Sequence, residues 1–171
     1  PIRAASAAGM KKLRIYLDTS VVNFLFAEDS PDFRRVTEAF FAEHARKYEL
    51  YVSEVVLVEI SRDPNPEHRH KLLAVLQQYP IAVLPTDRRA EVERLVELYL
   101  ARGVIPAGKR DDAFHVAYAT VFGMDILVSW NFKHLANIRR EKLIADVNQA
   151  TGYPELLRLL SPLEVEDENQ D

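Results

Sequence analysis

The chain has 171 residues, of which 48% are hydrophobic and 28% are charged, which is enough apolar material for one globular domain with its own core. It has no cysteine, which excludes disulfides, thiolate zinc sites and cysteine nucleophiles and fits a protein of the reducing cytoplasm. The formal net charge of −4 argues against a protein that coats nucleic acid non-specifically, and no apolar run reaches the roughly 18 residues of a membrane span.

The two ends of the chain lack the pattern of a folded segment. Residues 1–9 are mostly small and apolar without periodicity, and Met10 followed by two lysines resembles a natural start. We therefore expect an N-terminal tail there, either a cloning remnant or an alternative start. Residues 165–171 are largely acidic and are expected to fray. The predicted domain spans residues 10–164.

From residue 13 onward, short apolar runs alternate with segments of helical periodicity. The predicted strands are residues 13–17, 50–52, 81–84, 125–128 and 156–160. The predicted helices are residues 30–47, 54–60, 65–78, 88–102, 111–122 and 137–149. Strands that alternate with helices are typical of parallel β-α-β units. The sequence therefore predicts an α/β fold, a three-layer sandwich with a central, mainly parallel sheet of four or five strands.

Oxygen-bearing side chains occur where such a fold forms its sites. Asp18 directly follows the first predicted strand, and Asn131 closely follows the fourth. Ligands of open parallel sheets bind outside the carboxyl ends of the strands, at the switch in strand order. Glu59 and Asp112 lie on predicted helices that can face the same crevice, so four such side chains can converge.

Each acid taken alone also has an ordinary structural explanation. Glu59 could be a solvated helical acid, but its apolar neighbours leave little polar face. A partly buried acid needs a partner, either a metal ion or a base. Asp111 and Asp112 both open a helix, where a carboxylate commonly caps free backbone N–H groups, and either one is a candidate for the site.

A cluster of carboxylate and amide oxygens without cysteine suits a hard divalent cation, Mg²⁺ or Mn²⁺, held with several waters. Three carboxylates in one place repel each other and raise one another's pKa unless a cation neutralises them. Such a cation activates water and stabilises charge on a phosphodiester. The predicted metal-binding residues are Asp18, Glu59, Asp112 and Asn131.

Four segments in this order resemble the PIN domain nucleases, particularly the VapC-type toxins of prokaryotic toxin–antitoxin modules. The segments are residues 15–20, 52–60, 112–119 and 127–131, and the resemblance covers about residues 13–164. It implies a PIN-like fold and a metal-dependent endoribonuclease that cuts RNA with metal-activated water. It also implies the toxin of a type II module, a cognate antitoxin and a homodimer.

By this resemblance, Asp18, Glu59 and Asp112 are the catalytic, metal-binding acids. Asp112 is preferred to Asp111 because the spacing of the alanines that follow it matches the family. Asp111 is then a cap or an outer-shell group. Asn131 stands where the family more commonly has aspartate, and we expect weaker metal binding or a role in orienting water.

Three further residues are predicted to bind substrate. Ser20 is a polar neighbour of the first acid, and Lys133 and His134 follow the fourth position. Lys133 could contact phosphate, although an exposed lysine is commonly just solvated.

Two other functions are compatible with the sequence. A catalytically weakened RNA-binding or interaction module on the same fold would follow if Asn131 marks a loss of catalysis, although three acids are present. A phosphohydrolase with Asp18 as nucleophile would ordinarily carry a second acid two residues later, where this chain has Ser20.

Overall fold

The structure, a computed structural model that describes residues 11–167, contains one sheet of five strands within that range. The strands are β1 (Arg14–Leu17), β2 (Glu49–Val52), β3 (Ile81–Val83), β4 (Ile126–Val128) and β5 (Arg158–Leu160). Every pairing is parallel, and the spatial order is β3-β2-β1-β4-β5. The predicted α/β class is confirmed, and the switch in strand order lies between β1 and β4.

Helices fill each crossover between successive strands, and one more helix follows β5. They are α1 (Thr19–Phe24), α2 (Pro31–Ala39), α3 (Glu54–Ser61), α4 (Pro66–Gln78), α5 (Arg89–Ala101), α6 (Arg110–Val121), α7 (Ile138–Ala150) and α8 (Pro162–Asp167). The single helix predicted over residues 30–47 is divided, because α2 passes into a π-helical turn at Phe40–His44 and a 3-10 turn at Ala45–Lys47. No described helix is long and apolar enough to cross a lipid bilayer.

Successive side chains of the strands face two separate cores, as the two-residue period of a strand requires. Ile15 and Leu17 of β1 pack mainly with α1, α3 and α4, whereas Tyr16 faces α5, α6 and α7. Leu127 of β4 lies in the same core as Tyr16. All four side chains are fully buried, so both faces of the sheet are covered, which is the usual state of a parallel sheet.

The C-terminal part of the described chain packs against the first of these cores. Val165 of α8 is 1% exposed among the side chains that surround Ile15 and Leu17. The predicted domain boundary at residue 164 therefore falls inside this helix. The predicted tail at residues 1–9 lies outside the described residues.

The carboxyl ends of β1 and β4 continue their ladder into the loops beyond them. The Asp18 N–H donates to the Val128 carbonyl at 3.2 Å, and the Ser129 N–H donates to the Leu160 carbonyl at 2.9 Å. Backbone pairing thus holds Asp18 and Ser129 next to each other at the switch point, where α/β folds bind ligands.

Replacing Leu127 by alanine should lower the free energy of unfolding by about 2–5 kcal/mol, because it leaves a cavity in the central sheet. Urea denaturation followed by circular dichroism measures this. Leu156→Ala is the control, since Leu156 is 60% exposed and its loss should change stability by less than about 0.5 kcal/mol. Equal effects of the two substitutions would contradict the burial of β4.

Candidate active site

Asp18 is a buried carboxylate held between two hydroxyls. It is 4% exposed; its Oδ1 accepts a hydrogen bond from Ser20 Oγ at 2.5 Å, and its Oδ2 accepts one from Ser129 Oγ at 2.5 Å. Ser20 Oγ accepts from the Trp130 N–H and Ser129 Oγ from the Asn131 N–H, both at 2.9 Å. The loop after β4 therefore orients both hydroxyls, and through them the carboxylate.

Glu59 on α3 meets a buried histidine of α6. Its Oε1 lies 2.5 Å from His115 Nε2 and accepts a hydrogen bond from Thr19 Oγ1 at 3.0 Å. The other ring nitrogen, Nδ1, lies 2.7 Å from the Tyr16 hydroxyl, which is 2.7 Å from Ser53 Oγ. The partner expected for a partly buried Glu59 is thus a base, His115, in this structure.

Asp112 lies one helical turn before His115 and contacts the loop after β4. The Asn131 side-chain amide donates from Nδ2 to Asp112 Oδ2 at 3.1 Å, while its Oδ1 accepts from the His134 N–H at 3.0 Å. An ionised carboxylate only accepts hydrogen bonds, so the amide presents its N–H group to it. Asn131 orients Asp112 in this arrangement, and its predicted role as an oxygen ligand would require the amide to turn.

The structure separates the two adjacent acids of α6. Asp111 pairs with Arg62 at 2.6 Å on the surface, and its side chain is 42% exposed. It makes no capping hydrogen bond in the described structure and lies apart from the Asp18 cluster. Lys133 is exposed and His134 is half-buried, with the charge of Asp112 acting on His134.

Burial and repulsion by neighbouring acids raise the pKa values of Asp18 and Asp112. Burial raises the pKa of Asp18, and the charge of Asp112 adds to this increase, while His115 and the two hydroxyls offset only part of it. Burial also raises the pKa of Asp112, with the charge of Glu59 acting in the same direction. Both carboxylates are therefore less easily ionised than exposed ones.

The pKa values of Glu59 and His115 shift in the directions expected for an ion pair. Burial alone would raise the pKa of Glu59, but the hydrogen bond and charge of His115, together with Thr19 and Arg62, outweigh it and lower that pKa. Burial alone would lower the pKa of His115, but Glu59, Asp18 and Asp112 outweigh it and raise that pKa. His115 therefore offsets the charge of Glu59, while the pKa values of Asp18 and Asp112 stay raised.

The chemistry of these residues fits a hard divalent cation, although they do not surround one point. Within residues 11–167, no group of three or more Asp, Glu or His side chains is arranged to hold a metal ion. Each Asp18 oxygen uses one lone pair for a hydroxyl and has a second one available. A cation would relieve the repulsion between Asp18 and Asp112, and ligation by Glu59 would require it to leave His115.

Several residues of this cluster were not predicted from the sequence. His115 follows Asp112 by three positions on a helix, a spacing that places both on one face and could have identified it. Ser129 is the first polar residue after β4, which is a weaker signal. The sequence carries no signal for Thr19 and Tyr16, because their contacts to Glu59 and His115 depend on residues far away in sequence.

Fold and site together define the class of this protein. The sequence matches the PIN domain family over residues 15–139, and the chain belongs to that family, whose members are typically nucleases. The comparison with curated proteins gives no match.

Three solved structures share the fold. VapBC2 from Rickettsia felis, crystallised with a DNA fragment from its promoter, is 15% identical, with 85% of this chain and 98% of that chain covered and a TM-score of 0.52. FitAcB from Neisseria gonorrhoeae is 14% identical, with 87% and 98% covered and a TM-score of 0.53. DNA-bound VapBC from Salmonella typhimurium is 19% identical, with 88% and 98% covered and a TM-score of 0.52.

Asp112→Asn should stabilise the metal-free protein at about pH 7.5. Because the pKa of Asp112 is raised in the folded state, the stability present below its ordinary value of 3.8 is lost as the pH rises through the folded value. The asparagine does not titrate, so its advantage should shrink as the pH falls toward about 4. Chemical denaturation in EDTA at several pH values measures the difference.

The matched control is Asp111→Asn on the neighbouring residue. It removes only an exposed ion pair with Arg62 and should lower stability by at most about 1 kcal/mol. An Asp112→Asn protein that is less stable than the wild type at neutral pH would contradict the repulsion inferred for Asp112.

Proposed function

We propose that this protein is a metal-dependent endoribonuclease that hydrolyses RNA phosphodiester bonds, with Asp18, Glu59 and Asp112 as its catalytic, metal-binding acids. The observation that carries the proposal is the buried Asp18 carboxylate, held by two hydroxyls at the switch point of the sheet and electrostatically coupled to Asp112. Membership of a family of nucleases gives this carboxylate its chemical context.

Asp18 and Asp112 would hold Mg²⁺ or Mn²⁺, with Glu59 joining them after it leaves His115. The bound ion would supply an activated water and would neutralise charge that develops on the phosphodiester. Ser20 and Ser129 hold Asp18 in one orientation, and Asn131 does the same for Asp112. His115 compensates the charge of Glu59 and keeps it beside the cluster.

Substrate contacts are proposed for Ser20, Lys133 and His134. Ser20 already bridges the Asp18 carboxylate and the Trp130 N–H, so its main contribution is to position Asp18. Lys133 is exposed beside His134, where a positive charge can meet a phosphate.

We further propose that the protein is the toxin of a type II module, that it acts in the cytoplasm, that a cognate antitoxin holds it inactive and that it forms a homodimer. The likeness in fold to the VapBC structures supports the antitoxin partner. Copurification with the product of a neighbouring gene, followed by measurement of the mass of the complex, tests the partner and the dimer together.

A second candidate is a catalytically weakened RNA-binding or interaction module. It is favoured by one observation. At a position where the resemblance implies aspartate, Asn131 directs its side-chain N–H group at Asp112 and its oxygen at the His134 N–H. A phosphohydrolase with Asp18 as nucleophile has less support, because Ser20 stands where such an enzyme ordinarily carries its second acid, and the Ser20 hydroxyl instead donates to Asp18.

Asp18→Ala should reduce RNA cleavage by at least about a hundredfold, since it removes a carboxylate that would hold the cation and thereby the charge that would activate water and stabilise the phosphodiester. Gel analysis of a labelled RNA in Mn²⁺ measures the rate, and circular dichroism checks the fold. The matched control is Asp111→Ala, which removes an acid outside the cluster and should cleave normally. Undiminished cleavage by Asp18→Ala would overturn the proposal.

Asn131→Asp should tighten metal binding while it destabilises the metal-free protein. The new carboxylate would replace an N–H donor to Asp112 with a like charge, which only a cation can compensate. Thermal melting at increasing Mn²⁺ measures both effects, since stabilisation reaches about 2.7 kcal/mol at a hundred times the Kd.

In that titration the variant should start lower than the wild type and rise at a lower Mn²⁺ concentration. If Mn²⁺ stabilises neither protein, the proposal of a metal centre is wrong, and the interaction module becomes the better-supported function.

A further inference from the structure

Next to the candidate active site lies a group of three aromatic rings, Phe33, Trp130 and Phe132, which we name the aromatic platform. Phe33 stacks on Trp130 with ring centroids 4.5 Å apart and 25° between the ring planes. Phe132 packs edge-on against Trp130 at 5.9 Å and lies 6.1 Å from Phe33. Trp130 is only 5% exposed, whereas Phe33 and Phe132 are 37% and 43% exposed. Two ring surfaces therefore face solvent.

The platform is held rigidly from below. The Trp130 indole Nε1 donates to Thr37 Oγ1 at 2.9 Å, and Phe24 packs against the indole with centroids 5.7 Å apart. The Phe132 N–H donates to the Trp130 carbonyl at 3.0 Å, and the Phe132 carbonyl accepts from Asn137 Nδ2 at 2.8 Å. The Trp130 indole and the backbone of Phe132 are thus held in place, which lowers the entropy lost when a flat ligand stacks beside them.

The platform is continuous with the acids. The Trp130 N–H donates to Ser20 Oγ, which holds Asp18. Asn131, between the two platform residues of this loop, donates to Asp112. A group stacked on Phe132 would therefore lie beside whatever occupies the cluster.

Positive charges flank the same loop. Lys109, Lys133 and Arg140 all act electrostatically on His134, which also feels the charge of Asp112. Stacking surfaces beside a local group of cations are the combination by which proteins bind single-stranded nucleic acid.

We propose that the aromatic platform is a base-stacking subsite, on which an unpaired RNA base next to the cleaved phosphodiester stacks against Phe132 and Phe33. The inference rests on the proposed ribonuclease function and adds residues that select the substrate. Because a base paired in a helix cannot present its face to these rings, the subsite selects RNA that is unpaired at the cleavage position.

The test measures binding without cleavage. Wild-type protein in EDTA is titrated with a fluorescein-labelled single-stranded RNA, the same RNA with one abasic nucleotide, and its duplex, and anisotropy gives the Kd. Trp130 is the only tryptophan, so its emission reports locally on the platform. Single-stranded RNA should bind most tightly and change the emission, and the abasic RNA and the duplex should bind more weakly.

Phe132→Ala should weaken binding of single-stranded RNA roughly 5- to 100-fold, the loss typical of one stacked base. Phe132→Tyr should retain affinity, because it keeps an aromatic face, whereas Phe132→Leu should lose it although it stays apolar. The matched control is Ile138→Ala, since Ile138 is 74% exposed and apolar but lies outside the platform. Cleavage rates in Mn²⁺ should follow the same order.

The failures of the two proposals can be distinguished. If the wild type cleaves RNA and Phe132→Ala binds and cleaves it equally well, the stacking subsite is wrong and the ribonuclease stands. If Phe132→Leu binds as well as Phe132→Tyr, an aromatic face is not needed and the stacking subsite is wrong. If Phe132→Ala changes only the oligomeric mass, the platform contacts protein instead. If the wild type neither binds nor cleaves RNA, both proposals fall.

Discussion

The hydrogen bond between His115 and Glu59 is the interaction on which the rest of the candidate site depends. Glu59 belongs to α3 and His115 to α6, and these helices belong mainly to opposite layers of the sandwich. Their side chains meet above the carboxyl end of β1, with Tyr16 beneath the imidazole. The pair therefore joins the two helical layers at the switch in strand order, and His115 offsets the charge of Glu59 there.

The acid cluster lowers the stability of the fold when its carboxylates are ionised. Asp18 and Asp112 have raised pKa values because burial and repulsion oppose their ionisation. Hydroxyl and amide donors compensate them only in part, through Ser20, Ser129 and Asn131. Such incompletely compensated carboxylates are common at functional sites, where a ligand completes the compensation.

Much of the architecture was predictable from the sequence because it depends on local patterns. Apolar runs identified the strands, and a polar residue directly after a strand, such as Asp18, must lie at its carboxyl end. The division of the helix at Phe40–His44 was not predictable, because a single π-helical turn inserted in a longer helix is too short to change the apolar pattern of the whole segment.

The contacts inside the site were less accessible from the sequence. That Glu59 turns to His115, and that Asn131 presents its N–H group to Asp112, depends on distances between segments far apart in the chain. The residue types identified the side chains that could supply oxygen ligands, but only tertiary packing decides which of these side chains contact one another. The aromatic platform could not be predicted for the same reason, since Phe33 and Phe132 are 99 residues apart in the numbering.

The central position of β1 has a consequence for synthesis of the chain. One edge of β1 can pair with β2 early, but Ile15 also pairs with Ile126, so its other edge must wait for β4, which is made more than a hundred residues later. Asp18 gains the Ser129 hydroxyl only at that stage. A nascent chain or a truncated product that stops before β4 therefore has no assembled acid cluster. The order of strands therefore delays assembly of the candidate site until translation has passed β4.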